Sequence, residues 1–241
     1  MKTAVVFGAS GGIGKACVKA LLEKGWNVYA GFNTNPRELE EIKNGIYRDN
    51  LVSFQCDISS LNETRKIFDA VNSKFGSVEA VINCSGISMR GLIQDLTPEE
   101  LSLLIDTNIK GSYNVCRCAV ESMLKNHRGS IVNMSSMWGE TGASFEVAYS
   151  MTKAAVIGLT KALAKEVGPS GIRVNCISPG LIETPMNREI DEESKKIICE
   201  ETPLMRIGTP LDVANTAVFL SEDTSSFITG QIIGVNGGYV I

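Results

Sequence analysis

Thr3-Ala4-Val5-Val6-Phe7 runs directly into Gly8-Ala9-Ser10-Gly11-Gly12-Ile13-Gly14. The first five residues are apolar or β-branched and end on glycine, the pattern of a buried strand. Beyond the loop, Ile13, Ala16, Cys17, Ala20 and Leu21 fall at helical spacing, and Gly25 stops the run. The pattern predicts a strand over 3–7, a glycine loop, and a helix over 13–24. A loop of this kind lets the backbone approach a pyrophosphate closely and aims helix N–H groups and the positive dipole end at it. Three glycines at fixed offsets are weak alone, because a tight turn with no ligand uses the same residues. Their place between the first strand and the first helix is what points to a dinucleotide.

The rest of the chain repeats this alternation. Strands are predicted at Asn27–Phe32, 51–56, Ala80–Asn83, 130–134, 173–177 and Ile232–Val235. Helices are predicted at 36–43, 61–75, 98–107, 111–126, 147–167 and 211–220. Seven strands alternating with helices imply right-handed crossovers and a parallel sheet covered on both faces. The expectation is one α/β domain over 1–241, a doubly wound Rossmann fold with a seven-stranded parallel sheet. Residues 181–208 carry Pro185, Pro203 and a charged run from Asp191 to Lys196. They show no clear strand, and a segment this long inside a compact domain reads as a substrate lid.

Composition excludes several classes. The 241 residues carry a net charge of −4, with no basic excess to neutralise a phosphate backbone, so no nucleic-acid partner is expected. No apolar run reaches the roughly 18 residues of a membrane span, and the first residues do not form a secretory signal, so the chain reads as cytoplasmic. The seven cysteines are odd in number, scattered and without a CxxC pair, and there is a single histidine, His127. Neither a disulfide framework nor a metal site is expected.

The residues after the second strand bear on the coenzyme. An acidic residue there would bond a ribose 2′-OH and favour NAD, whereas small polar or basic residues tolerate a 2′-phosphate. The chain reads Phe32-Asn33-Thr34-Asn35-Pro36-Arg37, with no carboxylate before Glu38. Asn33, Thr34 and Arg37 are candidate phosphate donors. NADP is favoured and NAD stays possible, since Asn35 and Pro36 are also ordinary turn residues.

Tyr149 and Lys153 are four apart in the helix predicted over 147–167, which puts both on one face. Ser135-Ser136 follows the strand predicted over 130–134, at the carboxyl end of the sheet, where ligands bind in doubly wound folds. A phenol has a reference pKa of about 10, and a neighbouring ammonium would lower it. A serine hydroxyl beside the phenol would hold a substrate oxygen. The pair alone proves little, because such spacings also arise by chance.

With these residues in order, the chain resembles the classical short-chain dehydrogenases/reductases over essentially its whole length. The resemblance rests on Gly8–Gly14, Asp57, Asn83-Cys84-Ser85-Gly86, Asn108, Ser136, Tyr149, Lys153, Pro179-Gly180 with Thr184, and Thr229-Gly230-Gln231 through Val235-Asn236-Gly237-Gly238. It implies that Tyr149 is the general acid or base, that Lys153 lowers its pKa and binds the nicotinamide ribose, and that Ser136 orients the carbonyl. It implies that Asn108 holds a water behind Lys153. Cofactor contacts would come from Gly8, Ser10, Gly11, Gly12, Ile13, Gly14, Asn33, Thr34, Asp57, Ile58, Asn83, Gly86, Tyr149, Lys153, Pro179, Gly180, Ile182 and Thr184. The lesser alternatives are that Asn108 is a helix cap, Asp57 an Asx-turn, and Thr184 a turn residue.

Three departures stand out. Cys84-Ser85-Gly86 replaces the common Asn-Ala-Gly, Asn236 stands where aspartate is usual, and Gly11 stands where NADP-using members often carry a basic residue. Within the family the overall resemblance is to 3-oxoacyl-[acyl-carrier-protein] reductases, through Gly158–Glu166 and Pro203–Gly208. This implies a ketone–alcohol oxidoreductase acting on an acyl-thioester, possible delivery by an acyl carrier protein near Arg128, and a homotetramer. A dehydrogenase of free alcohols is the alternative, and a non-catalytic NAD(P) sensor a third reading.

Overall fold

The computed structural model describes residues 1–43, 47 and 49–241. β1 (Thr3–Phe7) is fully buried, and its alternate residues serve two cores. Ala4 and Val6 pack on one side of the sheet, Val5 and Phe7 on the other. That explains why an unbroken apolar run forms a strand here: both faces are covered. The chain continues through α1 (Gly12–Glu23), β2 (Asn27–Phe32), α2 (Arg37–Lys43), β3 (Leu51–Gln55), α3 (Leu61–Phe75) and β4 (Ala80–Asn83). After these come α4 (Pro98–Leu104), α5 (Gly111–Met123), β5 (Gly129–Met134), α6 (Met137–Thr141) and α7 (Val147–Val167). β6 (Ile172–Pro179), α8 (Glu192–Glu201), α9 (Pro210–Ser221) and β7 (Ile232–Val235) complete it.

The sheet has seven strands in the order β3-β2-β1-β4-β5-β6-β7, all parallel. The chain winds from β1 towards β3, then returns to lay β4 on the other side of β1. The reversal opens a crevice at the carboxyl ends of β1 and β4. α1 and α9 contribute to the core on one face. α3, α5 and α7 contribute to the other.

Several predicted boundaries move. β6 is longer than expected, reaching Pro179, because Gly180 N–H still pairs with Val235 O at 3.0 Å. The helix expected to reach 126 ends at Met123, and the chain then turns through His127 at φ 48°. A π-helical segment, Ile105–Lys110, joins α4 to α5 where a break was expected. The expected lid is an excursion closed at its base, where Glu183 N–H bonds Gly208 O at 2.9 Å and Gly208 N–H bonds Leu181 O at 2.8 Å. It contains α8, which the sequence pattern did not reveal. No helix among the described residues is long and apolar enough to cross a membrane.

Candidate active site

Everything of chemical interest lies along the carboxyl edge of the sheet. A groove of about 370 Å³ follows the glycine loop and is lined by Gly8, Ser10, Gly11, Gly12, Ile13 and Gly14. Asn33, Thr34, Asp57, Ile58 and Gly86 line it as well. Gly8 and Gly14 are sterically required, since a Cβ at either would strike backbone, and Gly12 is crowded. Gly8 sits at φ 68°, and a Cβ there would lie 2.7 Å from the Cys84 carbonyl carbon. A Cβ on Gly12 would come within 2.8 Å of Thr184 Cγ2. Bare backbone at the amino end of α1, facing a groove of this shape, fits a dinucleotide pyrophosphate.

A second cleft, of about 460 Å³, adjoins the first and shares Ile13, Cys84, Gly86, Thr184 and Met186 with it, while Ile182 lines the second cleft alone. It holds Ser136, Tyr149 and Lys153, with Pro179 and Gly180 beside them. Tyr149 and Lys153 stand one turn apart on α7, and both are buried. The ammonium lies 5.6 Å from the phenol ring centroid and donates to Met134 O at 3.1 Å. Ser135 and Ser136 divide the work. Ser135 Oγ donates to Lys153 O at 2.9 Å and fixes α7 against the end of β5. Ser136 caps α6, accepting from Trp138 N–H at 3.2 Å, and its hydroxyl lies against the Tyr149 phenol.

The electrostatics differ from the sequence expectation. Burial, with the Glu146 carboxylate adding to it, pushes the Tyr149 phenol up to about 12 against the opposing pull of the Ser136 hydroxyl and Arg90. The ammonium itself is pushed down to about 8 by burial. Desolvation, not the neighbouring ammonium, sets the direction of the phenol's displacement here. The resulting phenol keeps its proton at neutral pH and is set to donate it.

Asn108 is neither a cap nor a groove residue. It is fully buried in the π-helical segment, where Oδ1 accepts from Ile87 N–H at 2.9 Å. Its Nδ2 donates to Ile87 O at 2.9 Å and to Thr152 Oγ1 at 3.0 Å. A Cβ at Gly86 would lie 3.0 Å from Lys153 Nζ and 3.3 Å from Asn108 Oδ1, so the two side chains meet across a glycine.

Asn83 corrects one expectation. It is buried beneath the turn, donating to Ser112 Oγ at 3.1 Å and accepting from Ser85 N–H, and is not part of the groove lining. Asp57 makes the Asx-turn that was left open, accepting from Ser59 N–H at 2.9 Å, while still lining the groove. Thr184 begins a short 3₁₀ turn and turns its methyl towards Gly12.

Sequence reasoning missed part of the cleft. Arg90 Nε donates to Glu146 Oε1 at 2.8 Å, and Arg90 Nη2 to Asn187 Oδ1 at 3.3 Å, a bridge from the catalytic helix to the lid. Trp138 forms a wall two residues after Ser136, and the Ser88 hydroxyl is buried there without a partner. No spacing signals these contacts, because they join segments far apart in sequence. Arg128, expected near a docking rim, lies at the amino end of β5 with both Asp223 oxygens 2.7 Å from its guanidinium. Within this chain it is on the edge opposite the cleft.

A family profile described as Enoyl-(Acyl carrier protein) reductase matches residues 8–240. The chain belongs to the short-chain dehydrogenase/reductase family. Short-chain dehydrogenases/reductases similar to it include the uncharacterized oxidoreductase YmfI of Bacillus subtilis, 38% identical over 99% of this chain and 98% of the relative. A 3-oxoacyl-[acyl-carrier-protein] reductase FabG of Staphylococcus aureus is 37% identical over 98% of this chain and 97% of its own. Among solved structures, ElxO with NADP bound superposes with a TM-score of 0.92 at 33% identity, covering 99% of this chain and 98% of that one. As a short-chain dehydrogenase/reductase the protein is an NAD(P)-dependent oxidoreductase of CH–OH and C=O groups.

Proposed function

We propose that the protein is an NADPH-dependent ketone reductase that reduces a 3-oxoacyl thioester to the 3-hydroxyacyl product. One observation carries the reading: a buried phenol that keeps its proton, touching a serine hydroxyl and one helical turn from a buried ammonium, opens directly onto the glycine-lined groove. NADPH supplies the hydride when bound. Ser136 donates a hydrogen bond to the substrate carbonyl oxygen and orients it. Tyr149 transfers its proton to that oxygen as negative charge develops there. Lys153 faces the resulting phenolate and stabilises it. Asn108 and Lys153 both border Gly86, and the relay water implied by the family resemblance belongs there.

NADP is supported by Asn33 and Thr34 lining the groove in a stretch, residues 32–37, that carries no carboxylate, and by the NADP-bound ElxO neighbour. The thioester is supported by the FabG relatives. Residues 181–208 act as the lid of a single catalytic domain in a cytoplasmic enzyme. Exposed Leu103, Tyr113, Val147 and Met151 on α4, α5 and α7 support assembly into a homotetramer.

A second reading is a reductase of a small free ketone. It is favoured by Glu189 and Asp191 lining the cleft, by Arg90 being paired with Glu146, and by Arg128 being paired with Asp223. An acidic carrier protein docks poorly on such a surface. Steady-state assays with NADPH separate the two. Turnover of acetoacetyl-CoA or acetoacetyl-carrier protein supports the first reading, and turnover of free ketones alone overturns it.

A further inference from the structure

The cleft has one wall that nothing above assigns a role. Trp138 lies two residues beyond Ser136, in the first turn of α6, and its own N–H bonds the Ser136 hydroxyl at 3.2 Å. Trp138 lines the same cleft as Ser136 and Tyr149, and Ser194 and Ile198 of α8 line that cleft too.

The ring is also braced from behind. Tyr239, near the end of the chain, meets it edge-on, with centroids 5.7 Å apart and planes at 87°. Edge-to-face contact is a preferred aromatic geometry and resists rotation of either ring. Tyr239 is in turn held at its far end, where its hydroxyl donates to Glu201 Oε2 at 3.0 Å on the last residue of α8. Its N–H bonds Asn236 O at 3.2 Å. The edge-on contact and the Tyr239–Glu201 hydrogen bond tie the indole to the C-terminal segment and the lid helix. A braced wall discriminates groups by size.

We propose that Trp138, buttressed by Tyr239 and Glu201, is the specificity-determining wall of the cleft and limits the size of the substituent next to the reacting carbonyl. This rests on the ketone-reductase reading. The favoured substrate then carries a short apolar group at that position, and long chains are excluded by contact with the indole.

The test compares acetoacetyl-CoA with 3-oxooctanoyl-CoA, using NADPH for kcat/KM and titration calorimetry with NADP⁺ present for affinity. Trp138→Ala is expected to raise the long-to-short ratio by about tenfold or more, the scale on which a pocket discriminates methylene groups. Trp138→Phe keeps a ring and should stay close to wild type. Tyr239→Ala, which lies outside the cleft lining, should move the ratio in the same direction by less, and it serves if Trp138→Ala does not fold. Turnover with one ratio shared by all variants overturns the wall and leaves the function intact. No turnover, but a wild-type preference for the short ligand that Trp138→Ala abolishes in calorimetry, overturns the function and supports the wall. Neither turnover nor binding by the wild type overturns both.

Discussion

Tyr149 holds its proton because it is buried beside Glu146, and Lys153 gives its proton up easily because it is buried too. These opposite displacements set a pH dependence. The Lys153 ammonium is present below about 8 and lost above it. If that charge supports proton transfer, kcat/KM for reduction stays level through neutral pH and falls as pH rises through about 8. Lys153→Arg keeps the cation, so its profile should lose that fall or carry it to higher pH; an unmoved fall would assign it to another group. Coenzyme choice is also decided by single residues. Asn33→Asp places a carboxylate where a 2′-phosphate would lie, and like charges in contact cost several kcal/mol. The kcat/KM ratio of NADPH to NADH should drop by about tenfold or more, and an unchanged ratio would show that the ribose pocket lies elsewhere. The pairing of Tyr149 with Lys153 was legible because four residues make one helical turn. The direction of the phenol's displacement was not, because burial depends on β5, α6 and the lid closing around it.

The elements that escaped sequence reading are those whose reason is tertiary. α6 is five residues long, too short for a periodic signal, and it exists where Gly139 allows close contact with α7. A Cβ at Gly139 would lie 2.6 Å from Ser135 Oγ and 2.8 Å from the Lys153 carbonyl carbon. α8 has no buried residue, and its apolar side chains, Ile197, Ile198 and Cys199, are consecutive and form no repeat at helical spacing. The π-helical segment is held by Asn108, which ties Ile87 and Thr152 through three hydrogen bonds. Asn108→Ala leaves those buried groups unpaired and should cost about 3 kcal/mol of unfolding free energy. Urea denaturation checks this, and a loss under about 0.5 kcal/mol, typical of an unconstrained surface site, would mean the segment is held by other contacts. Asn236 shows a departure from the family with a local reason. Its amide donates to Val240 O at 3.1 Å while its oxygen accepts from Gly238 N–H at 3.0 Å, and a carboxylate could not make the first bond.

For the molecule as a whole, the alternation of seven strands with helices was sufficient to foresee the sheet, its parallel sense and the edge on which chemistry gathers. The same pattern could not foresee that Arg90 and Asn187 bridge catalytic helix and lid, since that contact spans 97 positions. The exposed apolar residues on α5 and α7 predict a homotetramer. Met151→Glu, which leaves the monomer core untouched at 48% exposure, should shift light scattering towards a smaller species. A monomeric wild type would remove the basis for that interface.

The central claim is that the Tyr149 hydroxyl delivers the proton that completes carbonyl reduction. Tyr149→Phe removes that hydroxyl and keeps the ring. Its kcat with NADPH and the best 3-oxoacyl or free ketone substrate should fall by about 10²–10⁴-fold, while the affinity for NADPH, measured by fluorescence, stays within about twofold of wild type. A variant that turns over at a near-normal rate with NADPH bound would contradict the account.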